Sequence, residues 1–160
     1  MKSSVRIGMA AAGNMYLDTG ILVKLLTPEP DSAWFERELR GHAMTTSELA
    51  LVEIKSALFA KERNKVITRE QRMRAEAKLA ELIDHEILTF KNLNNRVLKK
   101  AEQVIAACHP EVPIRALDAL HVASCDLAQE FPLCTTDARM HAAAQRIHVP
   151  VFPPNLPVKI

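Results

Sequence analysis

A chain of 160 residues with 48% hydrophobic and 25% charged side chains has the make-up of one ordinary globular domain, with a single core and no need for a second. Aromatic residues are only 4%, so the core is expected to consist of Leu, Ile, Val and Ala, which favours helices over a β-sandwich. The formal net charge of +2 excludes a whole-molecule cationic field, and any nucleic-acid role must rest on a local patch.

Three cysteines, Cys108, Cys125 and Cys134, are odd in number and lack a C-x-x-C spacing, which argues against a disulfide framework or a zinc site and for a reducing cytoplasm. No apolar run reaches the roughly 18 residues that suggest a membrane span. The opening MKSSVRIGMAAAGN has too short and broken an apolar part for a signal peptide, so residues 1–14 are expected to be a loose extension, with Met15 an alternative start.

Ordered structure is expected from a short apolar strand at 15–17, followed by a helix in TGILVKLL that Pro28 and Pro30 stop. A second helix is expected from about Asp31 to Gly41, then a brief strand in HAMTTS. Ser47 is placed to cap a long helix, ELALVEIKSALFAKERNK. Thr68 and Gln71 form a capping-box signature opening REQRMRAEAKLAELIDHE. ILTF at 87–90 reads as a strand, and NNRVLKKAEQVIAACH as an amphipathic helix ending before Pro110. Pro113 precedes the helix IRALDALHVASCDLAQEF, PLCTTD is a strand ending on an acid, ARMHAAAQRI is a short helix, and VPVF is the last strand before a Pro-rich tail. Short apolar strands alternating with longer helices imply parallel β-α-β units with helices on both faces of one sheet.

Four acids carry the chemical argument. The triplet Asp18-Thr19-Gly20 is that of aspartic proteases, but a chain with four glycines and mostly helical periodicity does not suit that β-rich architecture. Asp18 and Asp137 each follow a short strand, where open α/β sheets bind ligands. The structural alternative is that each merely caps the next helix. Glu53 has Leu49, Ala50, Ser56 and Ala57 at helical spacings, so its carboxylate lies in an uncharged stripe, where a carboxylate is costly unless paired or bound to metal. Asp118 has Ile114, His121 and Val122 at its spacings; a first-turn acid also gains from the helix dipole without any function.

The segments MYLDTGILVKLL, TTSELALVEIKSAL, IRALDALHVASC and CTTDARMHAAA, in this order, resemble the successive signatures of PIN-domain nucleases, most closely the VapC-type toxins of bacterial toxin–antitoxin systems. The likeness spans residues 15 to about 153 and implies an α/β fold of three layers, α/β/α, around a central, mainly parallel sheet of four to five short strands, leaving 154–160 as a short tail. By that likeness Asp18, Glu53, Asp118 and Asp137 match the family's acidic quartet, with Asp18, Asp118 and Asp137 as metal ligands and Thr19 and Thr135 as accessory hydroxyls. Gly20 departs from the Ser or Asn often found there. Glu48, about 140° around its helix from Glu53, ranks second for that role. Arg115 and His121 are weaker candidates, each with an ordinary alternative: a solvated arginine, and a packed or hydrogen-bonded helix histidine.

Clustered carboxylates with no thiolate and little imidazole select Mg²⁺ or Mn²⁺. The resemblance implies metal-dependent cleavage of RNA leaving a 5′-phosphate and a 3′-hydroxyl, a cognate VapB-type antitoxin and a homodimer. A housekeeping RNA-processing nuclease of the same family and a catalytically silent RNA-binding module are the alternatives. The basic run from Lys61 to Lys78 is either an RNA grip or the solvated face of two helices. Trp34, Phe35, Leu39, Leu51, Leu58 and Phe59 form either an apolar groove for an antitoxin helix or ordinary core.

Overall fold

The computed structural model describes residues 14–157; of the expected N-terminal extension and C-terminal tail, residues 1–13 and 158–160 lie outside the described residues. Five strands, β1 (Met15–Leu17), β2 (Met44–Ser47), β3 (Leu88–Lys91), β4 (Leu133–Cys134) and β5 (Val151–Phe152), form one sheet in the order β3-β2-β1-β4-β5. Every pairing is parallel, with Tyr16 opposite Thr45 on one side and Leu133 on the other. Seven helices connect them among the described residues: α1 (Thr19–Leu26), α2 (Ser32–Glu38), α3 (Leu49–Arg63), α4 (Arg69–Asp84), α5 (Asn95–Cys108), α6 (Ala116–Ala128) and α7 (Ala138–Arg146).

The alternation of side chains along each strand divides the core in two. Met15 and Leu17 pack with Ile21, Leu22, Phe35, Ile54 and Leu58 of α1–α3, whereas Tyr16 packs with Val97, Val104, Val122 and Met140 of α5–α7. The three-layer α/β/α arrangement follows directly. α5 shows how little sequence is needed: Val97, Ala101, Val104 and Cys108 recur at four, three and four residues, and these are its buried positions. Its N-cap, Asn94, accepts hydrogen bonds from the Arg96 and Val97 amides at 3.0 and 3.2 Å. The capping box of α4 is formed in full, Thr68 and Gln71 each bonding the other's backbone N–H.

Some expectations shift. The second helix ends at Glu38, followed by a turn in which Gly41 adopts φ +81°, a conformation glycine takes at little cost. Ser47 is the last residue of β2, not the cap residue of α3; Glu48 occupies that position without a side-chain cap bond. Ser47 still satisfies one helical donor, accepting from the Leu49 amide at 3.2 Å. The apolar groove does not exist as a unit. Phe35, Leu39 and Leu58 are buried in the core and Trp34 stacks on Phe152 at 5.5 Å, while Leu51 and Phe59 remain over 40% exposed on α3. Within the basic run, Lys61 pairs with Glu29, Arg72 with Glu62 and Glu76, Arg74 with Glu70, and Lys78 with Glu36. All three cysteines are free and buried, and no helix among the described residues is long and apolar enough to cross a membrane.

Candidate active site

Chain order reverses at β1, which has β2 on one side and β4 on the other. In an open parallel sheet such a switch point opens a crevice at the carboxyl ends of the strands, because connections leave it in opposite directions. Asp18 and the Thr135–Asp137 loop sit there, one after each of the two central strands. The Asp18 amide donates to the Cys134 carbonyl at 3.1 Å, closing the end of the β1–β4 pair.

Asp18 is 4% exposed and both its oxygens are engaged. Oδ1 accepts the Ile21 amide at 2.8 Å, capping α1, and Oδ2 accepts the Thr135 hydroxyl at 2.5 Å. Burial pushes its pKa up and the Asp137 charge adds to this, more than the hydrogen bonds from Thr135 and Ile21 and the nearby His121 bring it down. Thr135, fully buried, also accepts the Asp137 amide at 3.0 Å, so one hydroxyl ties the two acids together. Asp137 in turn caps α7, its Oδ1 taking the Arg139 and Met140 amides, both at 2.9 Å. The capping alternative is therefore true of both residues and does not compete with a chemical role, because the caps bring the carboxylates to the same crevice.

Asp118 lies in the first turn of α6, partly buried and with no hydrogen-bond partner for its carboxylate among the described residues. Burial raises its pKa, the Asp137 charge raises it further, and His121, Arg115 and Arg139 oppose this without reversing it. Glu53 reaches in from α3 on the other helical layer. Its Oε2 accepts the Thr19 hydroxyl and lies 2.7 Å from His121 Nε2. Burial works to raise its pKa, but these two bonds and the His121 charge together outweigh burial and hold it below the usual range. His121 is 1% exposed and hydrogen-bonded, the ordinary alternative for this residue, yet its partner is one of the candidate acids.

The remaining candidates lie apart. Glu48 is exposed and its Oε2 accepts the Leu93 amide at 2.9 Å, tying α3 to the loop after β3 rather than entering the acid group. Arg115 is exposed at the N-cap position of α6 and acts on Asp118 only through space. Among the described residues no Lys or Arg forms an ion pair with Asp18, Asp118 or Asp137, nor do three His, Cys, Asp or Glu side chains converge into a preformed metal cage. Asp137 is the common neighbour, its charge acting through space on both Asp18 and Asp118. An all-oxygen donor set whose three aspartates have no Lys or Arg ion-pair partner among the described residues fits a hard divalent cation.

Sequence reasoning passed over Tyr16, whose hydroxyl lies 3.0 Å from His121 Nδ1. A tyrosine between Met15 and Leu17 reads as core; only the position of α6 above the sheet reveals its polar partner.

Residues 15–146 match the PIN domain family. Ribonuclease VapC46 of Mycobacterium tuberculosis is 33% identical over 147 residues, a match covering 88% of this chain and 98% of the relative. Two solved structures share the fold at low identity. The structure of FitAcB from Neisseria gonorrhoeae has a TM-score of 0.62 at 16% identity, covering 88% of this chain and 97% of that one. A toxin–antitoxin complex from Klebsiella pneumoniae has a TM-score of 0.57 at 15% identity, covering 89% and 98%. On the family match across most of its length, supported by the sheet order that sets Asp18 and Asp137 at the switch point, this chain belongs to the PIN domain family.

Proposed function

We propose that the protein is a divalent-metal-dependent endoribonuclease and the toxin of a toxin–antitoxin pair. The observation that supports this most is that Asp137 couples through space to both Asp18 and Asp118 beside the β1–β4 switch point, none of the three with a Lys or Arg ion-pair partner among the described residues, and that Glu53 is hydrogen-bonded to Thr19, next to Asp18, and to His121. The 33% identity to a ribonuclease points to RNA as the substrate.

In this reading Asp18 and Asp118 hold the principal cation and Asp137 stands beside them. Asp137 has Oδ1 committed to capping α7 while Oδ2 has no protein partner among the described residues. Mg²⁺ or Mn²⁺ supplies Lewis-acid activation of water and neutralises charge on the phosphodiester. Glu53, kept ionised by His121 and Thr19, has its Oε1 available to accept a proton of the attacking water in a hydrogen bond and so aim it. Thr135 holds Asp18 in a fixed rotamer, which limits the reorganisation needed when phosphate arrives. The likeness to the Klebsiella pneumoniae toxin–antitoxin complex supports an antitoxin partner, proposed as VapB-type, and the family resemblance of the sequence extends the proposal to a cytoplasmic homodimer.

The test is cleavage of single-stranded RNA by the purified chain in Mg²⁺, in Mn²⁺ and in EDTA. Cleavage that needs the metal and is lost in Asp18→Asn supports the reading. Cleavage insensitive to EDTA, or full activity in that variant, overturns it.

A further inference from the structure

A buried run of hydrogen bonds leads from the sheet to Glu53. Tyr16, the residue of β1 on the α5–α7 face, is fully buried, with its hydroxyl 3.0 Å from His121 Nδ1 and the two rings edge-on at 6.0 Å. The other ring nitrogen, Nε2, lies 2.7 Å from Glu53 Oε2 and 3.2 Å from Thr19 Oγ1. This contact spans the sheet, since α3, which carries Glu53, packs on one face and α6, which carries His121, on the other.

Donor and acceptor counting gives the run a direction. Glu53 is a carboxylate and only accepts. Thr19 has a single hydroxyl proton, which it gives to Glu53 Oε2, so its oxygen presents a lone pair to the ring. Nε2 therefore faces acceptors alone and must carry hydrogen. In the singly protonated ring Nδ1 is then an acceptor, and the Tyr16 hydroxyl, which burial keeps protonated, is the donor it meets. Without that donor the Nδ1 lone pair is left buried and unpaired, and the ring loses the contact that fixes its orientation towards Glu53.

We propose that Tyr16 and His121 are positioning residues for Glu53: the Tyr16 hydroxyl, donating to Nδ1, holds the His121 ring in place, and the Nε2–H together with the Thr19 hydroxyl pins Glu53 Oε2, leaving Oε1 without a protein partner for water or cation. The pin has a purpose. Glu53 is a long side chain, 22% exposed and flanked by exposed Val52, and unpinned it would sample rotamers that face away from the other acids. The same logic orders metal-site ligands through their outer hydrogen-bond partners, whose loss costs about 10- to 100-fold in activity or metal affinity. The proposal rests on the reading of Glu53 as a member of the nuclease acid group.

Two measurements test it. Ring-nitrogen NMR of isotope-labelled histidine in the metal-free protein, at mildly alkaline pH, should show His121 as the Nε2–H tautomer, with Nδ1 hydrogen-bonded to a donor in the unaltered protein and not in Tyr16→Phe. In the cleavage assay, His121→Phe should lower kcat by about 10- to 100-fold with a smaller change in KM, and His121→Gln, whose amide places an N–H near Nε2, should recover most of it. An Nδ1–H tautomer in the unaltered protein overturns the proposal whatever the variants do, and so does a folded His121→Phe that cleaves at the full rate. Absence of metal-dependent cleavage in the unaltered protein would instead sink the nuclease reading, and the NMR result would still report whether Tyr16 sets the histidine.

Discussion

Thr135→Val replaces one hydroxyl with a methyl of nearly equal size at a position with no exposure. Two bonds are lost: the donation to Asp18 Oδ2 at 2.5 Å and the acceptance of the Asp137 amide at 3.0 Å. The first is charge-assisted, worth about 1.5–3 kcal/mol; the second joins neutral groups in a part-exposed loop that water can reach, worth about 0.5–1.5 kcal/mol. The expected loss is about 2–4 kcal/mol, which for a chain of this length lowers Tm by roughly 5–15 °C. Thr135→Ser keeps the hydroxyl and gives up one buried methyl, costing about 1 kcal/mol. Urea denaturation followed by circular dichroism measures both variants. Repeating Thr135→Val in an Asp18→Asn background completes a double-mutant cycle. There the loss should shrink towards the Asp137 part alone, because an uncharged carboxamide accepts the hydroxyl proton more weakly than a carboxylate does. If Thr135→Val proves as stable as Thr135→Ser to within about 0.5 kcal/mol, or if the cycle shows no coupling, Thr135 does not tie the two acids together in the way described.

Two further outcomes follow from the same site. Asp18 and Asp118 both titrate above the ordinary value of 3.8 when folded, so the folded chain binds more protons than the unfolded chain between 3.8 and the folded pKa values, and their contribution to stability falls as pH rises through that window. Glu53 is lowered and slopes the opposite way, so the informative quantity is the difference between Asp18→Asn and the unaltered protein across a denaturation series in acid. The variant should lose part of the downward slope, and an unchanged slope would contradict the burial of Asp18 as a charge. Gly20→Ala should stabilise α1 by roughly 0.5–1 kcal/mol, since the added Cβ meets Asp18 Oδ1 at an ordinary 3.4 Å and the exposed helical position gains from a residue with fewer unfolded conformations. A drop in the urea midpoint would show that the carboxylate needs the space.

The sequence was most informative where one residue type does one local job. Apolar period fixed the helical faces, as in the Val97, Ala101, Val104 and Cys108 stripe of α5, and Thr68 with Gln71 announced the start of α4 through a bond pattern confined to four residues. It was less reliable where a decision depended on a neighbour. Ser47 is an acceptable cap by type, but pairing with Lys91 of β3 draws it into the strand and moves the helix start to Leu49. Phe35 and Phe59 look alike as apolar residues on adjacent helices; one is enclosed beneath α1 and the other faces outwards over Lys55 and Arg72.

The acids show the same division. That Asp18 and Asp137 follow strands, and that Glu53 lies in an uncharged stripe, are properties of short windows, and the residues alone narrowed the chemistry to hard cations. Which oxygen is spent on a cap, which is held by Thr135, and which is free, depended on the sheet order β3-β2-β1-β4-β5 bringing together segments more than a hundred residues apart. The link from Tyr16 through His121 to Glu53 was out of reach for the same reason: hydrogen bonds extend about 3 Å and have direction, so they exist only once packing has set two helical layers over one sheet edge, whereas burial patterns and caps are written in residues three or four apart.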